Sequence, residues 1–319
     1  MNKNLATEII NCLPRERSLY PYYKDYYALQ LLKEVSGNGI KVSDLKNSRY
    51  ATLLNKKVVK QLLANCGNNR IRASQIEPAW QDSMEYFTLT LDSWDGNEGD
   101  WSQTSRRGWN LVLQLNFSNQ HNSYYRKLVK PTDRQALNFF CHPVFKRDQD
   151  QYFRETLAWS RLDIDFDNNE CLIEEVQSDW IRDVKSLLSD ARNAKKRQQK
   201  GLNHWPVAGQ VDDVIRYCEY FNARYANIWA EAMLSAVLFF VRSELGINQL
   251  YYHSCQSGAQ VKNINGSKPP RSLYSDLPKA FCFRQTNQGP GMLQDDIRYR
   301  RLRRKVKKIN WYELGGLHS

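Results

Sequence analysis

The sequence predicts an α+β fold, with a mixed β-sheet of about five to six strands covered by helices and preceded by a helical N-terminal domain. Three observations predict it. Met84–Leu91, Trp109–Phe117 and Trp159–Phe166 alternate apolar and polar residues with period two, as half-buried strands do. Residues 27–35, 58–63, 180–200 and 211–245 carry apolar residues at helical spacing. A hydrophobic content of 41% with 12% aromatics supplies a core, and a mean hydropathy of −0.68 marks a polar surface.

Residues 1–78 form the expected N-terminal domain. Tyr27, Leu31 and Val35 mark one helix, Ile40-Lys41-Val42 is extended, and Ser43-Asp44 caps a second helix. Val58, Val59, Leu62 and Leu63 make an apolar stripe that Gly67 stops, and Arg70-Ile71-Arg72 is again extended. This order is similar to a winged helix-turn-helix, in which Lys56, Lys57 and Lys60 would meet phosphates. A packing or lid domain is the alternative. Residues 79–294 form the α+β core, opening with two strands joined by the loop Asp92–Gly108. Trp94 and Trp101 in that loop clamp it to the sheet or stack on a substrate.

The turn cluster Asp167-Asn168-Asn169-Glu170 joins Trp159–Phe166 to a second strand, so the unit reads as a hairpin. Pairing Phe166 with Cys171 sets Ile164 against Ile173, Leu162 against Glu175 and Ser160 against Gln177. Glu175 then shares the apolar side, while Arg161, Asp163, Asp165 and Glu174 share the other. An acid on a buried face must rise in pKa, find a partner or open to a cleft, and each suits a general acid or base. Glu175, Gln177 and Asp179 are therefore candidate catalytic residues, with Arg161, Ser178, Trp180 and Trp229 as substrate-binding candidates. The alternatives are a buried polar network of Glu175 with Gln177, and a helix N-cap at Asp179.

The run Glu174-Glu175-Val176-Gln177-Ser178-Asp179-Trp180, with Trp159-Ser160-Arg161 before it, resembles a motif of domains in large polyvalent proteins of phages and conjugative elements. Trp229-Ala230-Glu231-Ala232-Met233-Leu234 and Gly246–Tyr252 continue the likeness over about a third of the chain. It implies mobile-element ancestry rather than a reaction. The order strand, helix, strand Gln249–Ser254, then Leu273–Phe283 is similar to the C-terminal half of the GNAT acyltransferase superfamily. Members commonly end in a tyrosine-bearing helix and a glycine-phenylalanine strand, and Cys282 stands where that glycine would be. The superfamily cradles the pyrophosphate of acyl-CoA at a glycine-rich helix start, for which Gln198–Asn203 is the nearest stretch here. This resemblance implies acyl-CoA as the co-substrate and Glu175 as a general base.

The helix over 180–200 ends in Lys195-Lys196-Arg197, which suits its dipole, and 211–245 is the main packing partner of the sheet. His253 closes a strand and precedes the long loop Gln256–Arg271, which makes it a candidate proton carrier beside Glu175. Cys141-His142, His253 and Cys255 have no recognised ligand spacing, so no metal is predicted. In the basic C-terminal segment, 295–319, residues 298–308 include Arg300, Arg301, Arg303, Arg304, Lys307 and Lys308 and no acid. Tyr299, Leu302, Val306 and Ile309 would dock one side of this helix and leave a cationic side for phosphates.

With 46 basic and 34 acidic residues the net charge is +12, which attracts nucleic acid or another polyanion. Seven scattered cysteines without a CxxC pair, no apolar leader, and an apolar stretch of only Ala232–Val241 predict a cytoplasmic protein outside the membrane. The expected function is an enzyme of phage or mobile-element type, best matched by acyl transfer. The alternative is a non-catalytic nucleic-acid-binding or host-interaction protein.

Overall fold

The computed structural model describes residues 1–12, 18–66, 69–76, 84–97, 102–133, 136–139, 141–145, 154–202, 206–264, 270–306 and 308–315. Gly67, Trp101, Asn203 and Lys307 lie outside the described residues. In chain order the elements are α1 (Lys3–Cys12), β1 (Ser18–Tyr22), α2 (Tyr26–Ser36), β2 (Ile40–Lys41), α3 (Val42–Lys46), α4 (Lys57–Ala64), β3 (Arg70–Ile71), β4 (Glu85–Asp95) and β5 (Trp109–Asn116). Then follow α5 (Asn119–Val129), β6 (Thr156–Asp165), β7 (Glu170–Gln177), α6 (Asp179–Lys196), α7 (Val211–Arg224), α8 (Trp229–Phe239) and β8 (Gln249–His253). The chain ends with α9 (Cys255–Val261), α10 (Asp276–Ala280), β9 (Arg284–Thr286), α11 (Ile297–Lys305) and β10 (Trp311–Leu314).

The fold is α+β. Its mixed sheet has eight strands in the order β1-β4-β5-β6-β7-β8-β10-β9, and β2 pairs separately with β3. The sheet exceeds the expected five to six because β1, β9 and β10 are only three to five residues long, too short for an alternation pattern to register. Pro21 within β1 is tolerated at the sheet edge, where a missing N–H leaves no broken ladder. Segment 1–78 therefore does not stand apart. It supplies this edge strand, and Tyr27 of α2 stacks on Phe281 at 4.2 Å within one continuous core.

Every neighbouring pair in the large sheet is antiparallel except β7 with β8. These two run parallel from Glu170 opposite Gln249 to Ile173 opposite Tyr252, after which β7 continues to Gln177 without β8 beside it. Helices α6 to α8 follow β7; α6 and α8 pack on the face of Leu162, Ile164, Cys171 and Ile173, and α7 packs against α6 and α5. α8 is apolar all round, with Ala232 to Leu238 buried, because it lies between the sheet and α2. On the opposite face Leu172, Tyr251 and Trp311 form a second core with Val261 at the end of α9 and with Tyr299 and Leu302 of α11. The connections leaving β7 and β8 thus depart to opposite faces. No helix among the described residues is long and apolar enough to cross a membrane.

Candidate active site at the ends of β7 and β8

The hairpin register differs from the expected one. Asp165 pairs with Glu170, Ile164 with Cys171 and Leu162 with Ile173, then Arg161 with Glu175, Ser160 with Val176 and Trp159 with Gln177. The turn closes one residue earlier on each strand than alternation suggested, and Glu174 is an extra residue in β7. A bulge sets two residues against one, so Glu174 and Glu175 both face Arg161. Glu175 is therefore not opposite Leu162. Glu174, expected to be the wetter acid, is fully buried.

The Glu174 carboxylate accepts hydrogen bonds from Ser105 N at 2.8 Å and Ser105 Oγ at 2.9 Å, and lies 3.1 Å from His253 Nε2. Lys262 Nζ donates to the Glu174 carbonyl at 2.8 Å, just beyond the last β7–β8 pair. Glu175 accepts from Arg161 Nη2 at 2.8 Å and from the Gln177 amide. Arg161 also donates to the carbonyls of Ser102 and Gln103, each at 2.7 Å, and lies over the Trp94 ring. Trp94 thus holds the loop through Arg161 and through its own Nε1 bond to Ser102 O.

All five ionisable groups are buried. Two carboxylates against Arg161 and Lys262 make a neutral set only if His253 is uncharged, and burial does lower the His253 pKa below its ordinary value. Burial alone would raise Glu174, but the His253 hydrogen bond and the charges of Lys262 and Arg161 outweigh it and hold the acid down to about 2. Burial also lowers Lys262. With Glu174 anionic, His253 Nε2–H donates to it and Nδ1 faces Ser257 Oγ at 3.2 Å.

Ser178, not Asp179, is the N-cap of α6, its Oγ accepting from Ile181 N. Asp179 is buried in the first turn, accepting from Phe139 N at 3.0 Å and Arg182 Nη2 at 3.3 Å, with His142 Nδ1 at 2.7 Å. Trp180 belongs to the core, not to a substrate surface. It is fully buried against Phe117, His121, Tyr125 and Phe221, and its Nε1 donates to Asn138. Trp229 packs on the core at the start of α8, where neighbouring Asn227 and Glu231 meet Lys24 near the β1 edge, away from Glu175. The Gln198–Leu202 stretch follows the C-terminal end of α6, where carbonyls rather than N–H groups are unpaired, so it offers no helix-start anion cradle.

Lys57 and Lys60 are exposed, whereas Lys56 forms an ion pair with Asp25 at 2.9 Å. Arg300, Arg301, Arg303 and Arg304 are exposed on α11; Lys308 is exposed beyond its end. A cleft of about 230 Å³ lies between Ser102–Thr104, the end of α9 and α11, with Lys262 and Arg298 in its wall. Among the described residues no group of three acids, histidines or cysteines could hold a metal.

The sequence reading missed Ser105 and Lys262, and weighed His142 only as a metal ligand. Ser105 and Lys262 lie in long loops whose return to β7 leaves no local pattern. Comparison with protein-family models, with curated proteins and with solved structures finds no match to this chain.

Proposed function

We propose that the protein is an enzyme acting at the carboxyl ends of β7 and β8, and that its reaction is acyl transfer with Glu175 as a general base. The parting of the parallel pair β7–β8, with connections leaving to opposite faces, carries this reading. Open sheets bind ligands in the crevice at such a switch point. The strand ends there carry Glu175, Gln177 and Arg161, and the likeness of the C-terminal half to the GNAT superfamily suggests an acyl-CoA as donor. Gln177 occupies one Glu175 oxygen and is only partly buried, so an entering substrate N–H can take its place while Arg161 keeps the other oxygen. A proton then passes from the attacking nitrogen to the freed oxygen. The mobile-element motif and the seven free cysteines suit a phage-type protein of a reducing compartment.

Acetyl-CoA should raise the melting temperature, because a ligand that binds only the native form stabilises it. The Glu175→Gln variant should keep its fold and lose thiol release. Absence of both a melting shift and thiol release in the unmodified protein would sink acyl transfer.

A second reading, polyanion binding, is supported by α11, whose exposed arginines have no acidic partner among the described residues. Nucleic-acid affinity that falls steeply with salt would support it.

A further inference from the structure

We propose that His142, held by Asp179, is a second catalytic group of this crevice and takes a proton from the ammonium form of the acyl acceptor. The inference rests on the acyl-transfer reading for its substrate, but its geometry stands independently. His142 Nδ1 lies 2.7 Å from Asp179 Oδ2, and the two side chains are 19% and 3% exposed. Asp179 is fixed as an acceptor by Phe139 N and Arg182, so the imidazole donates from Nδ1 and keeps its lone pair on Nε2. Among the described residues nothing hydrogen-bonds Nε2.

The ring is joined to Glu175 through a row of packed side chains. It meets Trp159 edge-on at 5.3 Å, Trp159 stacks on Trp94 at 6.5 Å, and Trp94 lies under Arg161, the partner of Glu175. Trp159 Nε1 and Arg161 Nε, two residues apart on β6, are buried donors without a partner among the described residues.

The chemistry needs two proton acceptors. A primary amine is an ammonium ion at neutral pH, near the lysine value of about 10.4. One proton must leave before the nitrogen lone pair can attack the thioester carbonyl. The second leaves as the C–N bond forms and the C–S bond breaks; one proton ends on the departing thiolate and the other in solvent. Glu175, enclosed by Arg161 and Gln177, is suited to the second transfer. His142, one-fifth exposed, is suited to the first and to discharge into water. Charged and titratable groups facing the imidazole are Asp179, Asp183 and Arg182 of α6 and Cys141 of its own segment.

The test is the pH dependence of thiol release from acetyl-CoA with butylamine or polylysine as acceptor. His142→Gln should lower kcat/KM at pH 7 by about 10²-fold, a typical general-base effect. The deficit should shrink steadily as pH rises toward 10, where about a third of the amine is free against under about a thousandth at pH 7, and added imidazole should restore activity at pH 7. Asp179→Asn should show the same pH-dependent deficit through the wrong tautomer. A loss equal at both pH values, or no loss, overturns the proposal. If the unmodified protein releases no thiol, acyl transfer itself fails, and nitrogen NMR of the His142 ring decides the dyad. An Nδ1–H ring that titrates at Nε2 supports it as a proton carrier, whereas an Nε2–H ring overturns it.

Discussion

Two charged regions meet at the end of β7, and they are built in opposite ways. Around the bulge, Glu174, Glu175, Arg161, Lys262 and His253 are buried, charge-balanced and joined through Ser105 and Ser257. At the start of α6, Asp179 is buried and saturated, but its partner His142 keeps a nitrogen open among the described residues, at partial exposure. Such a set holds geometry around the bulge, because removing an inner charge such as Glu174 leaves the rest uncompensated, and it opens only at Glu175, where the partly buried Gln177 can be displaced. The half-open pair is better placed to exchange a proton.

The sharpest way to break that comparison is to remove one charge from each region. Glu174→Ala leaves Arg161 and Lys262 in excess and strips the acceptor from Ser105 and His253, so it should destabilise by about 3–5 kcal/mol, the usual result of breaking a buried pair. His142→Gln, whose amide can still donate to Asp179, should cost only about 1 kcal/mol, the scale of one hydrogen bond. Denaturant titration of both variants measures the difference. Equal losses would mean that His142 is as structural as Glu174.

Acid should open the closed set next. The folded pKa of Glu174 is depressed from 4.5 to about 2, so its contribution is present above about pH 4.5 and is lost as pH falls toward 2. His253 is also lowered, from 6.5, so protonation of the unfolded chain drains stability as pH falls below about 6.5. His121, stacked on Phe117 and held down to about 3 by burial, acts in the same direction between 6.5 and 3. Glu155 opposes them: burial pushes it up to about 8, so its contribution is present below 4.5 and lost as pH rises through 8. Melting followed from pH 6.5 to pH 2 in Glu174→Gln should be less steep below pH 4.5 than in the unmodified protein. An unchanged slope there would remove Glu174 from the account.

Why the sequence located this neighbourhood but misjudged its two acids follows from the turn and the bulge together. Alternation on either side of Glu174 identifies both strands, but the turn closes one residue earlier on each strand, which alone would set Glu175 beside Ser160, and the extra residue Glu174 then brings Glu175 beside Arg161; no propensity marks either step. The helix after Ser178 is legible from the helical spacing over 180–200, but its cap is Ser178, one residue before the Asp179 that the pattern offered. Trp180 was misjudged because an aromatic beside polar residues looks the same in sequence whether it faces a ligand or Phe117. His142 and Asp179 are 37 positions apart and meet only in the fold.

Glu175→Gln sharpens the comparison from the catalytic side. The isostere keeps a group against Arg161 and Gln177 while removing the charge, so the rate should fall about 10²-fold, or about 2.7 kcal/mol. Unlike the His142 deficit, this one should persist near pH 10, because freeing the amine in advance does not supply the second acceptor. A Glu175→Gln deficit that also vanishes at high pH would merge the two roles into one.

The same contrast between satisfied and open charges predicts where a polyanion would bind, with the smallest effect. Lys56 is held by Asp25 and lies over Tyr27, whereas Arg300 and Arg301 of α11 project into solvent without an acid partner among the described residues. If single-stranded nucleic acid binds, Arg300→Gln and Arg301→Gln should each reduce the slope of log affinity against log salt by about 0.7, the share of one phosphate contact. Lys56→Gln should leave that slope unchanged, since its charge is already neutralised in the fold. A Lys56 effect equal to that of Arg300 would show that the Asp25 pair opens for phosphate, and the N-terminal helices would then join α11 in the binding surface.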